Sequence, residues 1–190
     1  MADLTTTVKV KRTLGIPSSV TLHDDLLDTL VEVADQEVLA FTGLAGLTLS
    51  TATDEAHDVT DSATREVVLR NFPVVSVAAV KVGGSTLSTS SWYVDSNTGV
   101  VRLQDGAGFF PPGTEEVEVT YTYGFSTIPA DLSHAATLVA VAHFNRGRHA
   151  GLTGEGMGAY RYTMDSQAFP RSAASILSRY RRIFPRTTQP

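Results

Sequence analysis

Cysteine is absent from the chain, which excludes disulfides, thiolate metal sites and a thiol nucleophile and leaves the redox compartment open. A run of about 18 apolar residues is also missing, as is a signal-peptide core at the N-terminus. A soluble chain, intracellular when made, is therefore expected. No G-x-S-x-G occurs, so the nucleophile elbow of the α/β-hydrolases is not present. Positive charge is scarce. The formal net charge is −5, which argues against DNA binding as the main task, because phosphate contacts need clustered Lys and Arg.

The scarcity is uneven. Residues 13–64 contain no Lys or Arg, yet they hold Asp24, Asp25, Asp28, Glu32, Asp35, Glu37, Asp54, Glu55, Asp58 and Asp61. From Asp131 onward, eight Arg face three acids. An acidic front and a basic back would suit head-to-tail contact between copies; two solvated surfaces of opposite sign are the plainer alternative.

The 190 residues fit one domain, or one domain carrying an inserted subdomain, and suffice to bury a core without staples. Residues 117–144 organise the reading. Val117, Val119, Tyr121 and Tyr123 alternate with Glu118, Thr120 and Thr122, the period of a half-buried strand. Gly124 ends that strand, Pro129 suits the first turn of a helix, and residues 132–144 are rich in Ala, Val and Leu. A strand thus feeds directly into a largely apolar helix.

Residues 1–20 read as an N-terminal arm, with Val8 and Val10 alternating with Lys9 and Lys11 as in an edge strand. A first helix is expected over 22–41, capped by Thr21 or Ser19 and ended by Gly43. Leu27, Val31, Ala34, Val38 and Phe41 form its core stripe, widened by Leu26, Leu30 and Val33. Asp25, Asp28, Glu32 and Asp35 recur on the opposite side as an acidic ridge, which faces a channel, a basic partner or simply solvent. Asp28 and Glu32 are an i, i+4 like-charge pair, costing a few tenths of a kcal/mol. From 44 to 125 strand-like runs take over, at 47–53, 64–72, 75–82, 91–95, 99–104 and 117–123. Gly83-Gly84 and residues 95–99 serve as hairpin turns. A second helix is expected over 129–146, then a Gly-rich loop over 147–158, a short strand over 160–164 and a third helix over 170–184.

The fold class is therefore α+β: a helical framework of about three main helices with an inserted antiparallel β subdomain. The expected divisions are an arm at 1–20, a helical core from 21–45 and 127–185, the β insertion at 46–126 and a tail at 186–190.

Motifs that suggest chemistry are weak. Gly154-Glu155-Gly156-Met157-Gly158 lacks the strand, the Lys-Ser/Thr pair and the following helix of a phosphate-cradling loop. Asp95, Asn97 and Gly99 form a fragment of a calcium loop without its distal Glu, and a hairpin turn explains them better. His134, His143 and His149 lack a carboxylate at i+4 and read as exposed or interface histidines. Asp54, Glu55, His57 and Asp58 read as an acidic loop on which weak cation binding is conceivable.

Three pieces together resemble the head–tail connector (adaptor) family of tailed double-stranded DNA bacteriophages. They are Asp24-Asp25-Leu26-Leu27 through Phe41-Thr42-Gly43; Tyr121-Thr122-Tyr123-Gly124-Phe125 with Ile128-Pro129-Ala130-Asp131-Leu132; and Gly151-Leu152-Thr153 through Tyr160-Arg161-Tyr162, followed by Ile176-Leu177-Ser178-Arg179-Tyr180-Arg181-Arg182. The large β segment at 46–126 departs from the simplest members. The resemblance implies a non-enzymatic structural neck protein of the virion, made in the host cytoplasm, without cofactor, metal or membrane. It implies a ring, commonly dodecameric, between the portal protein and the next neck or tail protein, with double-stranded DNA passing through without sequence-specific binding. Arg179, Arg181, Arg182 and Phe184 are then the expected portal interface, and Asp25, Asp28, Glu32 and Asp35 face the lumen or a neighbouring subunit. The alternative is a binding module in which Trp92, Tyr93, Phe109 and Phe110 hold a carbohydrate or a protein.

Overall fold

The computed structural model describes residues 4–96, 98–148, 154–157, 160–163 and 169–181, with backbone alone at 148, 154–157 and 160–163. The chain divides into two compact units, one formed by residues from 1–43 and 128–181, the other by residues from 44–127.

The helical unit begins with a helix where a strand was expected. Helix α1 is Thr7–Leu14. Thr6 caps it in extended conformation, its hydroxyl accepting the Lys9 N–H, and Gly15 closes it at φ 71°. The N–H groups of Gly15 and Ile16 bond to Arg12 O (3.2 Å) and Lys11 O (2.9 Å), a Schellman closure that a residue with a Cβ would strain. Lys11 and Arg12 lie in the last turn, where positive charge complements the helix dipole. The alternation of Val8 and Val10 with Lys9 and Lys11 misleads because Lys11 is itself buried, paired with Asp24.

Helix α2 is Asp24–Thr42, with His23 rather than Thr21 or Ser19 at its N-cap and Gly43 closing it in the left-handed region. It buries Leu27, Val31, Ala34, Val38 and Thr42. Helix α3 is Ala130–Arg148 and buries Leu132, Ala135, Ala136, Val139, Ala140 and Phe144. Its alanines let α1, α2 and α4 pack closely around it. Helix α4 is Arg171–Leu177, shorter than the expected 170–184, and buries Ala173 and Leu177. A turn follows it to Tyr180.

The β unit holds two sheets. In the first, β1 (Ser50–Val59), β7 (Gly113–Tyr123), β3 (Val74–Val82) and β4 (Ser85–Thr86) lie in that order, all antiparallel. In the second, β2 (Glu66–Val68), β6 (Val100–Leu103) and β5 (Trp92–Asp95) lie in that order. Val117, Val119 and Tyr121 of β7 are fully buried among Val59, Val67, Leu69, Val80, Val101, Leu103 and Phe110. Gly83-Gly84 turns β3 into β4, pairing Val82 with Ser85. Gly124 follows β7 at φ 100°, and a Cβ there would overlap the Thr48 carbonyl, so the close approach requires glycine. Within the expected Gly-rich loop, Gly154–Met157 is a strand (β8) paired antiparallel with Tyr160–Thr163 (β9). Residues 149–153 and 158–159 lie outside the described residues.

Candidate functional site

The charged groups nominated as interface residues, where described, lie on the helical unit. On α2 they separate by direction. At about 100° per residue, Leu26, Thr29, Val33 and Ala40 follow one exposed line, continued ahead of the helix by Leu22. Leu22 is 83 % exposed, Leu26 50 % and Val33 38 %, so Leu26 and Val33 do not widen the core stripe as expected. Asp25, Asp28 and Glu32 form a parallel exposed line beside them.

Asp35 does not belong to that line. It is 7 % exposed, and its Oδ2 accepts the Leu4 N–H at 2.9 Å. The step from Glu32 to Asp35 carries the side chain round toward Val31 and Val38, and the incoming N-terminal segment then covers it. Asp35 is therefore a buried anchor for that segment and not a surface charge. Of the other three, Asp28 accepts the Thr7 hydroxyl. Asp25 and Glu32 have no ion-pair partner among the described residues.

Beside α3, the N-terminal segment creates a cavity of about 490 Å³ lined by Leu4, Lys9, Arg12, Thr13, Ile128, Ala130, Ser133, His134 and Thr137. Thr5 hydrogen-bonds to Thr137 through their hydroxyls at 2.7 Å, and Lys9 Nζ donates to Ser133 Oγ at 2.8 Å. Of its lining, Arg12 and His134 are exposed. His143, farther along α3, lies 2.9 Å from the Glu37 carboxylate. His149 lies outside the described residues.

At the C-terminal end, the Tyr180 hydroxyl donates to Asp131 Oδ1 at 2.5 Å and Arg179 lies 3.7 Å from the same carboxylate. The Tyr180 bond, with the N–H groups at the start of α3, holds Asp131 below the usual carboxylate range. Burial first, and then the neighbouring carboxylate, push Tyr180 up to about 12. Arg181 sits 5.8 Å from the Phe41 ring, which also packs on Phe169. Arg179 and Arg181 are thus exposed cations set on α3 and α2 respectively, while Arg182 and Phe184 lie outside the described residues.

The β unit does not assemble the sites considered for it. Asp54, Glu55, His57 and Asp58 belong to strand β1 and not to a loop. Asp54 accepts Lys81 at 2.8 Å and Thr120 at 2.9 Å, and Asp58 accepts the Glu115 N–H at 2.8 Å. Glu55 turns inward, accepting the Tyr121 hydroxyl at 2.8 Å, Asn71 Nδ2 at 3.2 Å and the Arg70 N–H at 3.0 Å. These carboxylates are committed to protein donors, and no group of three metal-ligating side chains occurs among the described residues. Asp95 closes a hairpin, its carbonyl accepting the Gly99 N–H at 2.8 Å; Asn97 lies outside the described residues. Among the aromatics, Phe110 is buried and Trp92 packs on the core, leaving Tyr93 and Phe109 exposed. The four do not form one platform.

A match to the head completion protein family spans residues 3–183. The chain belongs to that family. Head completion proteins are structural and not enzymatic. No curated protein matches the chain. Among solved structures, a chain from the neck of an empty GTA particle, computed with sixfold cyclic symmetry, is 18 % identical with a TM-score of 0.53 over 97 % of this chain and 92 % of that one. A chain from the neck of the native GTA particle, with twelvefold cyclic symmetry, is 18 % identical with a TM-score of 0.52, covering 88 % and 87 %. A chain from the virion of the native gene transfer agent (GTA) particle gives 18 % and 0.53 over 97 % and 92 %. At that identity the likeness is one of fold.

For a head completion protein, the part that sequence reasoning missed is the docked α1 with its cavity. Its signals are short: Thr6 as a cap, Gly15 as a left-handed stop, and basic residues between them.

Proposed function

We propose that this head completion protein is a neck component of a phage-like virion, assembling as a ring between the portal and the next neck or tail protein around a DNA channel. The family match across residues 3–183 carries the reading. The likeness of fold to chains of particle necks with sixfold and twelvefold symmetry supports it. An exposed face on α2 that sets Leu22, Leu26 and Val33 beside Asp25, Asp28 and Glu32 suits an assembly surface better than a solvated one. In this reading those three acids meet a neighbouring subunit or line the lumen, where negative charge lets DNA slide without being held. Arg179 and Arg181, continued by Arg182 and Phe184, face the portal.

The test mixes the purified protein with the portal of the same particle and follows mass by light scattering and shape by electron microscopy. A ring added to the portal, and lost when the residues after Arg179 are removed, is the expected result. A chain that stays monomeric and leaves the portal bare overturns the proposal.

A further inference from the structure

We propose that the cavity between α1 and α3 of one copy receives the exposed α2 face of the next copy. The inference rests on the ring reading above and supplies its subunit contact. The cavity is lined by the apolar Leu4, Ile128 and Ala130 together with the cations Lys9 and Arg12. Among the described residues neither cation has a carboxylate partner; Lys9 reaches only the Ser133 hydroxyl. Lys11, by contrast, is already paired with Asp24 inside the unit.

The α2 face has the complementary composition. Leu22, Leu26 and Val33 are exposed along one line, with Asp25 and Glu32 beside it lacking an ion-pair partner among the described residues, and α2 contains no Lys or Arg to balance them. Apolar groups next to acids on one surface match apolar groups next to cations on the other. The two surfaces are different patches of the same chain, so the contact is heterologous, and its repetition closes a ring or propagates a filament according to the rotation between copies. Exposed ion pairs each contribute little net attraction, because solvent screens them and two long side chains must be held still. Burial of the leucines therefore supplies most of the attraction, while the charges fix register and exclude wrong pairings.

The test is a charge swap read in assembled particles. Cells produce the particle with the natural chain, with Lys9→Glu/Arg12→Glu, with Asp25→Lys/Glu32→Lys, or with both variants together. Copies of the chain per purified particle are counted by quantitative immunoblot. Each variant alone presents like charges across the contact and should fall at least tenfold. Together they alternate, every contact again joins opposite charges, and the count should return to that of the natural chain, which misfolded variants could not achieve. Undiminished counts for either variant alone, or failure of the mixture to recover, overturn the contact while leaving the neck reading intact. If only the cavity variant loses incorporation, the cavity holds an acidic segment of another protein and the proposal is wrong. Absence of the natural chain from particles defeats the neck reading itself, and the contact with it.

Discussion

Replacing Asp35 by alanine should release the N-terminal segment from the helical unit. The carboxylate accepts the Leu4 N–H at 2.9 Å within a region where Leu4 is 1 % exposed. A hydrogen bond to a charged group contributes about 1.5–3 kcal/mol, so the loss should be about 2 kcal/mol. Burial of Leu4 and Val10 opposes release by about 1.5–3 kcal/mol each. Ordering the segment, however, costs about 1–2 kcal/mol per residue in backbone entropy. The attachment is a small difference between these terms, and a loss of about 2 kcal/mol shifts it roughly 30-fold. Limited trypsin digestion well below the unfolding temperature, with mass spectrometry of the products, reads this directly at Lys9, Lys11 and Arg12. Cleavage there should be about 30 times faster than in the natural chain. The fully exposed Asp105→Ala of the β unit serves as control and should cleave normally. Cleavage of Asp35→Ala within threefold of the natural rate would refute the anchoring role.

In the β unit, Tyr121→Phe removes the hydroxyl that donates to Glu55 and accepts the Asn71 N–H at 3.0 Å, and should destabilise by about 2 kcal/mol in urea unfolding. Gly124→Ala meets both the φ of 100° and the Thr48 carbonyl, and should cost about 3 kcal/mol by the same measurement; a loss below about 1 kcal/mol would show that the strand end yields readily. Burial pushes His57 below the ordinary histidine value of 6.5, over the opposing pull of the Glu55 carboxylate 2.9 Å away. The unfolded chain then binds the proton more readily, so stability is full above pH 6.5 and declines as the pH falls below it. His57→Gln should flatten that decline, and an unchanged pH profile would remove His57 as its source.

How legible the fold was depended on whether a segment's signal was local. Alternation along β7, the glycines of the β3–β4 turn, Gly43 and the Ala-rich period of α3 each declare themselves within a dozen residues, and the mixed α+β architecture follows from them. In the first segment the hydrophobic period alone misleads. Val10 and Lys11 are both buried, adjacent residues that a strand would turn to opposite faces, and Lys11 is buried only because Asp24 receives it. On α2 the period likewise points Leu26 and Val33 inward and Asp35 outward, whereas the fold exposes the first two and buries Asp35 against the Leu4 N–H.

The candidate surface shows the same limit in sharper form. Ten acids without a cation between residues 13 and 64 suggest a broadly negative front. The fold consumes most of them individually, often across long separations. Asp24 takes Lys11, Asp28 the Thr7 hydroxyl, Asp35 the Leu4 N–H and Glu37 the ring of His143. Asp54 takes Lys81, Glu55 the Tyr121 hydroxyl, Asp58 the Glu115 N–H and Asp61 the Ala63 N–H. Among the described residues Asp25 and Glu32 are what remain, two turns apart on α2 near the exposed Leu22 and Leu26. A charge run in the sequence counts ionisable groups, whereas an interface draws most readily on those whose oxygens are not already engaged within the chain. The cations that suit them also come from an unexpected place: Lys9 and Arg12 of α1, instead of the Arg-rich C-terminal part, where Arg179 lies beside Asp131 and Arg181 beside Phe41. In the proposed contact, the charge available for assembly is thus defined only after the fold has taken its share.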